Sequence, residues 1–190
     1  MIAVVHPIPE GARIRYRDIL TFPQSVTGER IELYEGEFVM VPAPGFWHQN
    51  TVANLFFHIS RYVREHNLGK IIPAPCDVYF DEYTVLEPDL LFISKERLHI
   101  AGPRLVRGSP DWVAEVLSQT TEERDRGFKL RWYALQGVRE YWIVDPDRRV
   151  VEVYIKKGQV YQLLGEFSGE EMIRSEAFTK LELKVDQLWE

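Results

Sequence analysis

The sequence predicts a single α/β domain in which a mixed β-sheet is flanked by helices. Two segments show the three- and four-residue spacing of apolar positions that is typical of helices, and short strand-like segments separate them. The second helix has the length of a crossover between parallel strands. The 190 residues contain no repeat, low-complexity tract or linker, so we expect one domain over residues 1–190.

The first half of the chain predicts a hairpin, a helix and a pair of strands. Residues 30–41 alternate around a Glu-Gly pair, which indicates an N-terminal β-hairpin. Apolar residues at helical spacing predict a helix over 47–67. Residues 71–80 and 85–94 have the composition of strands, and the short turn between them indicates an antiparallel pair.

The second half predicts one parallel connection and a C-terminal β-hairpin. Residues 95–110 are rich in glycine and proline and predict a loop with one short helical turn. The strand 112–117, the helix 121–136 and the strand 138–144 form a crossover unit, so the two strands should be parallel. The remaining predicted elements are a hairpin over 150–155 and 160–164, a short strand near Leu181 and a helical turn over 185–189.

The composition excludes several classes of protein. No apolar run approaches the roughly 18 residues that a membrane-spanning helix needs, so we expect no membrane association. Residues 1–11 have no basic segment and contain two prolines, which argues against a signal peptide. The single cysteine, Cys76, excludes an intramolecular disulfide and a cysteine-based zinc site. We therefore expect a cytoplasmic protein.

The charge of the chain is acidic overall but uneven along its length. A net charge of −6 argues against a protein that binds nucleic acid through charge alone. Residues 124–149, however, contain seven basic side chains and four acidic ones. This region either contacts phosphate groups or forms a solvated helix face whose charges pair with one another.

Two carboxylates interrupt apolar strands and are the main candidates for chemistry. Asp89 follows Pro88 within VLEPDLLFI, and Glu115 lies within WVAEVL. A buried carboxylate needs a partner, a metal ion or a raised pKa, because its burial alone costs several kcal/mol. Two such residues in one sheet favour a shared site for Mg²⁺ or Mn²⁺, where the carboxylates converge within about 4–6 Å and open into a cleft. The alternative is that each pairs with an arginine or caps a backbone amide.

At these residues the chain resembles a known family. A Pro-Asp pair on one strand and an acidic residue in the next core strand resemble the PD-(D/E)xK nuclease superfamily and, more narrowly, the Uma2-type restriction endonucleases. The matching stretches are IELYEGEFVM with the following His-Gln helix start, EPDLLFISKERL and AEVLSQTTEERDRGFKLRWYALQGVREYWIVDP, within about residues 30–155. The resemblance implies a restriction-endonuclease-like fold and a metal-dependent endonuclease, with DNA as the substrate and Asp89 and Glu115 as metal ligands.

The position of the superfamily's lysine departs from the general pattern. Leu117 stands two residues after Glu115, where the superfamily has lysine, and an aliphatic side chain cannot neutralise a phosphate. The resemblance implies that Lys129, on the following helix, takes this catalytic role, with its amine within about 3–5 Å of Asp89 or Glu115. Asp125 lies four residues before Lys129 on the same helix face, where it either belongs to the site or forms a surface ion pair.

Two further residues match recurring positions of the family. Glu32 lies on the first hairpin and could complete the metal shell, or it is a carboxylate at a strand edge. His48 lies at the start of the first helix, where local hydrogen bonds could equally explain it. Tyr133, four residues after Lys129, is expected to pack against the lysine or to order it.

Three functions remain open at this point. The first is a Mg²⁺- or Mn²⁺-dependent endonuclease, and the second is a catalytically idle nuclease fold that acts as a scaffold for partners. The third is a carboxylate-pair hydrolase with another substrate, which Lys129 argues against because that chemistry would place a second acid there. Five tryptophans and nine tyrosines leave apolar surface for a partner, so we also expect a homodimer.

Overall fold

The computed structural model describes residues 13–20 and 30–190. The N-terminal segment on which we based the expectation about a signal peptide lies outside these residues. The helices are α1 (Tyr16–Ile19), α2 (Phe46–Glu65), α3 (Glu122–Arg124) and α4 (Leu130–Gln136), with 3₁₀ turns at Lys95–Ile100 and Val185–Leu188 and a π-helical turn at Asp125–Lys129. The strands are β1 (Arg30–Tyr34), β2 (Glu37–Val41), β3 (Gly69–Pro73), β4 (Val78–Asp81), β5 (Thr84–Leu86), β6 (Leu90–Ser94), β7 (Val106–Arg107), β8 (Trp112–Val116), β9 (Glu140–Asp145), β10 (Val150–Lys157) and β11 (Val160–Ser168).

The predicted class, an α/β fold with mixed sheet and flanking helices, is confirmed, but the strands form two sheets. The central sheet has the order β11-β10-β9-β8-β6-β3, and the smaller sheet has the order β2-β1-β5-β4-β7. The predicted antiparallel pairing is present as β3 with β6 and β4 with β5. Each of the two predicted strands is divided in two, the first into β3 and β4 and the second into β5 and β6. The second division lies at Pro88, because proline has no backbone N–H for a continuous ladder.

The two main helical segments cover opposite faces of the central sheet. Leu55 of α2 shares a core with Leu90, whereas Tyr133 of α4 shares a second core with Leu91. Successive residues of a strand point to opposite faces, so β6, β8 and β9 are buried on both faces and mostly apolar, with Glu115, Glu140 and Asp145 as the buried acidic exceptions in β8 and β9. The cores therefore meet across the backbone of β6, β8 and β9.

The predicted parallel crossover is confirmed. β8 pairs in parallel with β9, and the segment between them is helical from Glu122 to Gln136. The helix ends at Gly137, whose φ of +94° is the left-handed conformation that glycine adopts without strain. Its middle is a π-helical turn that contains both Asp125 and Lys129, a distortion often found at functional sites.

The C-terminal region is only partly as predicted. The hairpin of β10 and β11 and the helical turn at Val185–Leu188 are present. The expected strand near Leu181 is wrong, because this segment makes only an isolated bridge between Met172 and Lys184. Among the described helices, none combines the length and the apolar character that crossing a membrane would require.

Candidate active site

Asp89 and Glu115 lie at the same edge of the central sheet. β6 and β8 are antiparallel, with Leu90 opposite Ala114. Continuing this register by one residue places Asp89 opposite Glu115, and such neighbours have Cβ atoms about 4.5–5.5 Å apart. The register supports the expected convergence of the two carboxylates. The expected open cleft is not present, because Asp89 is 4% exposed and Glu115 is 3% exposed.

Asp89 is held in its ionised form by several donors. Its Oδ2 accepts a hydrogen bond from the backbone N–H of Val116 at 2.9 Å and lies 3.2 Å from Nε2 of His48. Its Oδ1 lies 3.5 Å from the guanidinium group of Arg30. Burial alone would raise the pKa of Asp89, but His48, Arg30 and the Val116 N–H together lower it.

Glu115 has fewer donors and more negative neighbours. One oxygen, Oε1, accepts hydrogen bonds from Nζ of Lys129 and from the hydroxyl of Tyr133, each at 2.8 Å. Burial raises the pKa of Glu115 well above its usual range, and the charges of Asp125 and Asp89 raise it further while Lys129 opposes the shift. Glu115 is therefore poised to hold either a proton or a further cation.

Lys129 occupies the centre of the negative charge, as we expected for the displaced lysine. Besides Glu115, its Nζ lies 3.2 Å from Glu32 and 3.5 Å from Asp125. Burial would lower its pKa, but Glu115 and Glu32 raise it well above the usual value. Leu117, at the usual lysine position, is buried in the apolar core on that face of the sheet.

Asp125 takes part in this network and is not a surface ion pair. It is 1% exposed, and burial raises its pKa to about 6 although Lys129 opposes the shift. A helix-face pair in solvent would leave the carboxylate near its ordinary pKa. The π-helical turn brings both side chains inward from the same segment.

Glu32 and Glu87 connect the smaller sheet to the site. Glu32 accepts hydrogen bonds from the Tyr34 hydroxyl and from the backbone N–H of Glu87, each at 2.7 Å. Glu87 lies 3.3 Å from Arg30, and burial raises the pKa of Glu87 to about 7. Arg30 and Glu87 were not among the site residues predicted from the sequence. Their signals were the position of Glu87 directly before Pro-Asp and the alternation of Arg30 with Glu32 on β1.

The buried carboxyl groups at this site outnumber the permanent cations that contact them. We call the following residues the carboxylate cluster: Glu32, Glu87, Asp89, Glu115 and Asp125. Among the described residues, Arg30 and Lys129 are the permanent cations that contact this cluster, and His48 adds charge only when protonated. Asp125 Oδ1 and Glu87 Oε1 are buried without a hydrogen bond, and each lies at ion-pair distance from one cation, Lys129 Nζ at 3.5 Å and Arg30 Nε at 3.3 Å.

The chemistry of this donor set fits a hard divalent cation. Mg²⁺ and Mn²⁺ prefer carboxylate oxygens, and a cation would offset the excess negative charge. Across the described residues, no three His, Cys, Asp or Glu side chains are already arranged as a metal-binding group. The ammonium group of Lys129 instead lies among the oxygens of Glu32, Glu115 and Asp125.

The basic region at 124–149 divides into paired and unpaired arginines. Arg126 is paired with Glu152 at 2.7 Å and with Glu122 at 2.9 Å, which supports the solvated-face interpretation for this residue. Arg131 and Arg149 are exposed and form no ion pair with any described residue. These two remain free to contact a phosphate.

The fold resembles that of a solved protein from Anabaena variabilis ATCC 29413. That structure is described as "a putative nuclease belonging to DUF820" and superposes with a TM-score of 0.75 at 19% sequence identity. The alignment covers 93% of this chain and 97% of that one. At this identity the likeness shows the fold alone. No curated protein matches the chain.

A family model settles membership more directly. The model described as "Uma2: Putative restriction endonuclease" matches residues 16–186. This range contains all three main candidates, Asp89, Glu115 and Lys129, and extends beyond the core of about 30–155 that we expected. Because the match covers most of the sequence, the chain belongs to the Uma2 family of restriction-endonuclease-like proteins.

Proposed function

We propose that this protein is a Mg²⁺- or Mn²⁺-dependent endonuclease that hydrolyses phosphodiester bonds in DNA. The observation that carries the proposal is the carboxylate cluster, in which five buried acids share two permanent cations, so that protons or a bound cation must balance the remaining carboxylates. A purely structural cluster would be expected to pair its charges, because each unpaired buried charge is costly. Family membership supports nuclease chemistry over other hydrolases.

Asp89 and Glu115 are the proposed metal ligands. They lie opposite each other across β6 and β8, and both are oxygen donors. Bound there, the cation would polarise a phosphoryl oxygen and lower the pKa of a coordinated water. His48, Arg30 and the Val116 N–H keep Asp89 ionised, which is the form that binds a cation.

Lys129 supplies the fixed positive charge that the reaction needs beside the metal. Three carboxylates hold its ammonium group, so the charge stays in place and does not move freely at the end of a long stem. A fixed cation stabilises the negative charge that gathers on the phosphoryl group in the transition state. Tyr133 donates to the same oxygen of Glu115 as Lys129 and therefore orients that carboxylate.

A plasmid nicking assay tests the proposal. Supercoiled DNA is incubated with the wild-type chain in Mg²⁺ or Mn²⁺, with a matched sample that contains EDTA. We expect nicked or linear product with the metal and none with EDTA. Equal product in both samples would refute metal dependence, and no product under any divalent metal would refute the nuclease assignment.

The idle-scaffold alternative is favoured by one specific observation. Asp89, Glu115 and Lys129 are each at most 4% exposed, so a phosphodiester cannot reach them without a local opening. An idle fold needs no such opening. Backbone hydrogen exchange separates the two functions, because an active enzyme must open β1, β2 or the start of α2 faster than the core strands β8 and β9. Uniformly slow exchange together with no cleavage would favour the catalytically idle fold.

A further inference from the structure

Two exposed aromatic side chains lie next to the candidate site. Phe46 and Trp47 begin α2 and are 74% and 72% exposed. Their ring centroids are 5.1 Å apart in an edge-to-face arrangement. A large aromatic that is mostly in water gains little for stability, so exposed rings at a site edge suggest binding.

These rings adjoin a recess at the edge of the central sheet. The recess has a volume of about 230 Å³, and its lining includes Trp47 and Asn50 of α2, Asp147 and Arg149 of the turn between β9 and β10, and Trp189. This volume is below the roughly 300–1,000 Å³ of sites for drug-sized ligands, and it suits one ring system. The buried indole N–H of Trp189 has no hydrogen-bond partner.

The topology places this recess beside Asp89 and Glu115. Trp47 immediately precedes His48, whose Nε2 lies 3.2 Å from Asp89. The turn with Arg149 follows β9, in which Val144 pairs with Val116, the residue whose N–H binds Asp89. Both walls of the recess therefore end at the edge that carries the proposed metal ligands.

Arg149 and the start of α2 offer groups that can bind an anion, beside the acidic side chain of Asp147. Arg149 is exposed and has no ion-pair partner among the described residues. Helix α2 is 20 residues long, has Gly45 as its N-cap residue and therefore no side-chain cap, and has no acidic residue in its first turn. Its N-terminal amides thus remain available to a phosphate. An apolar peptide would gain nothing from these groups.

We propose that this recess binds an unpaired nucleotide that flanks the scissile bond, with the base stacked on Trp47 and its phosphate held by Arg149. Stacking on an indole face needs a base that has left the duplex stack, which selects single-stranded or splayed DNA. Asn50 and Asp147 offer hydrogen-bonding groups for the edge of a base. The inference rests on the proposed nuclease function and specifies the form of its substrate.

Binding of labelled oligonucleotides in EDTA tests this inference without cleavage. A single strand of about ten nucleotides, within the range that such grooves hold, is compared with its duplex by fluorescence anisotropy. Trp47→Ala should raise the Kd for the single strand about tenfold and leave duplex binding nearly unchanged. Trp47→Phe should retain most of the affinity, because phenylalanine also stacks.

Phe57→Ala is the matched control. Phe57 is also exposed on α2, at 57%, but lies almost three turns from the site. The Phe57→Ala variant should bind the single strand with the affinity of the wild type. Arg149→Gln should lower the slope of log affinity against log salt by about 0.7, as expected for one lost contact to a single strand.

The results separate this inference from the proposed function. Equal affinities for Trp47→Ala and the wild type, or an equal loss in Phe57→Ala, would overturn the recess as a nucleotide site. Plasmid nicking is scored on the same samples after addition of Mn²⁺. Wild-type cleavage with unaffected Trp47→Ala binding would overturn only the recess, whereas selective binding without any cleavage would overturn only the nuclease assignment.

Discussion

Burial raises the pKa of two glutamates on neighbouring parallel strands, but their hydrogen-bond donors differ. Glu140 of β9 is 1% exposed and accepts four hydrogen bonds, from Trp142 Nε1, Ser175 Oγ and the backbone N–H groups of Glu176 and Ala177, at 2.6–2.8 Å. Glu115 of β8 is equally buried but has one lysine and one tyrosine as donors, with other carboxylates close by.

The difference separates a structural carboxylate from a reactive one. Four neutral donors in fixed positions satisfy the hydrogen-bonding capacity of the Glu140 carboxylate. We therefore expect no metal ion to bind there. Glu115 shares its cation with Glu32 and Asp125, and the excess charge must be met by protons or by a bound cation. At one edge of the sheet Glu140 therefore has a structural role, and at the opposite edge Glu115 belongs to the proposed active site.

The largest expected effect is on cleavage by a change at Lys129. Lys129→Met preserves the aliphatic stem and removes the charge, so plasmid nicking should fall by about 10²–10³-fold. Thermal stabilisation by Mn²⁺ should persist, because Asp89 and Glu115 remain. Lys70→Met, at an exposed lysine of β3, is the control and should cleave at the wild-type rate. Wild-type cleavage by Lys129→Met would contradict the role of this lysine.

The second effect sharpens the contrast between the two glutamate sites. Mn²⁺ at 100 times its Kd should stabilise the wild-type fold by about 2.7 kcal/mol. Asp89→Asn should abolish this shift in thermal melts. Glu140→Gln should lower the metal-free stability by about 1–3 kcal/mol, because an amide cannot accept all the hydrogen bonds of the carboxylate, yet keep the full Mn²⁺ shift. Equal Mn²⁺ shifts in wild type and Asp89→Asn would place the ion elsewhere.

The third effect concerns pH. The folded-state pKa values of Asp125 and Glu87 are raised to about 6 and about 7, above their unfolded values near 4. The folded chain therefore binds more protons than the unfolded chain between about pH 4 and 7, and the free energy of unfolding should fall as pH rises through this window. Urea denaturation of wild type and Asp125→Asn at several pH values measures this fall. The fall in the free energy of unfolding with pH should be smaller in Asp125→Asn than in the wild type. An equal fall in both would exclude Asp125 as a contributor.

The smallest effect extends the comparison to the arginines. Arg126 is saturated by Glu152 and Glu122, as Glu140 is by its donors, whereas Arg131 is exposed and unpaired. Arg131→Glu should weaken DNA binding evenly across sequences and lower the salt slope by about one unit. Arg126→Glu should mainly reduce stability, since it places another acid beside Glu152. DNA affinity measured across a salt series would reject this distinction if both variants lost affinity equally.

The candidates that could be predicted from sequence were those that break a local pattern. Glu115 is a charge inside an apolar strand, and Asp89 is a charge within an apolar stretch of sequence that the structure places directly before β6; such a conflict is visible without a fold. Lys129 was predicted because Leu117 stands where the superfamily has its lysine and because the chain resembles the family. The structure places its amine 2.8 Å from Glu115, so the expected contact is present, while its catalytic role stays a prediction.

Other features depend on pairing between distant segments. Arg30 and Glu87 reach the site because β1 pairs with β5, and no local spacing announces that pairing. The division into two sheets likewise follows from where strands find partners. Glu140 shows that a charge inside an apolar strand does not by itself predict a functional site. It also interrupts an apolar strand, but its carboxylate accepts hydrogen bonds from residues more than 30 positions later in the sequence. The homodimer, the Mg²⁺ or Mn²⁺ requirement and the cytoplasmic location stay predictions.

A crystal soaked in Mn²⁺ tests the central claim most directly, because anomalous scattering locates the ion itself. We predict one strong peak between the carboxylates of Asp89 and Glu115, with distances near 2.0–2.2 Å to oxygen, as expected for a small hard cation. Lys129 should remain beside the peak, and Glu140 should show none. A peak at another place, or no peak while Lys129 keeps its contact with Glu115, would contradict the proposed metal site.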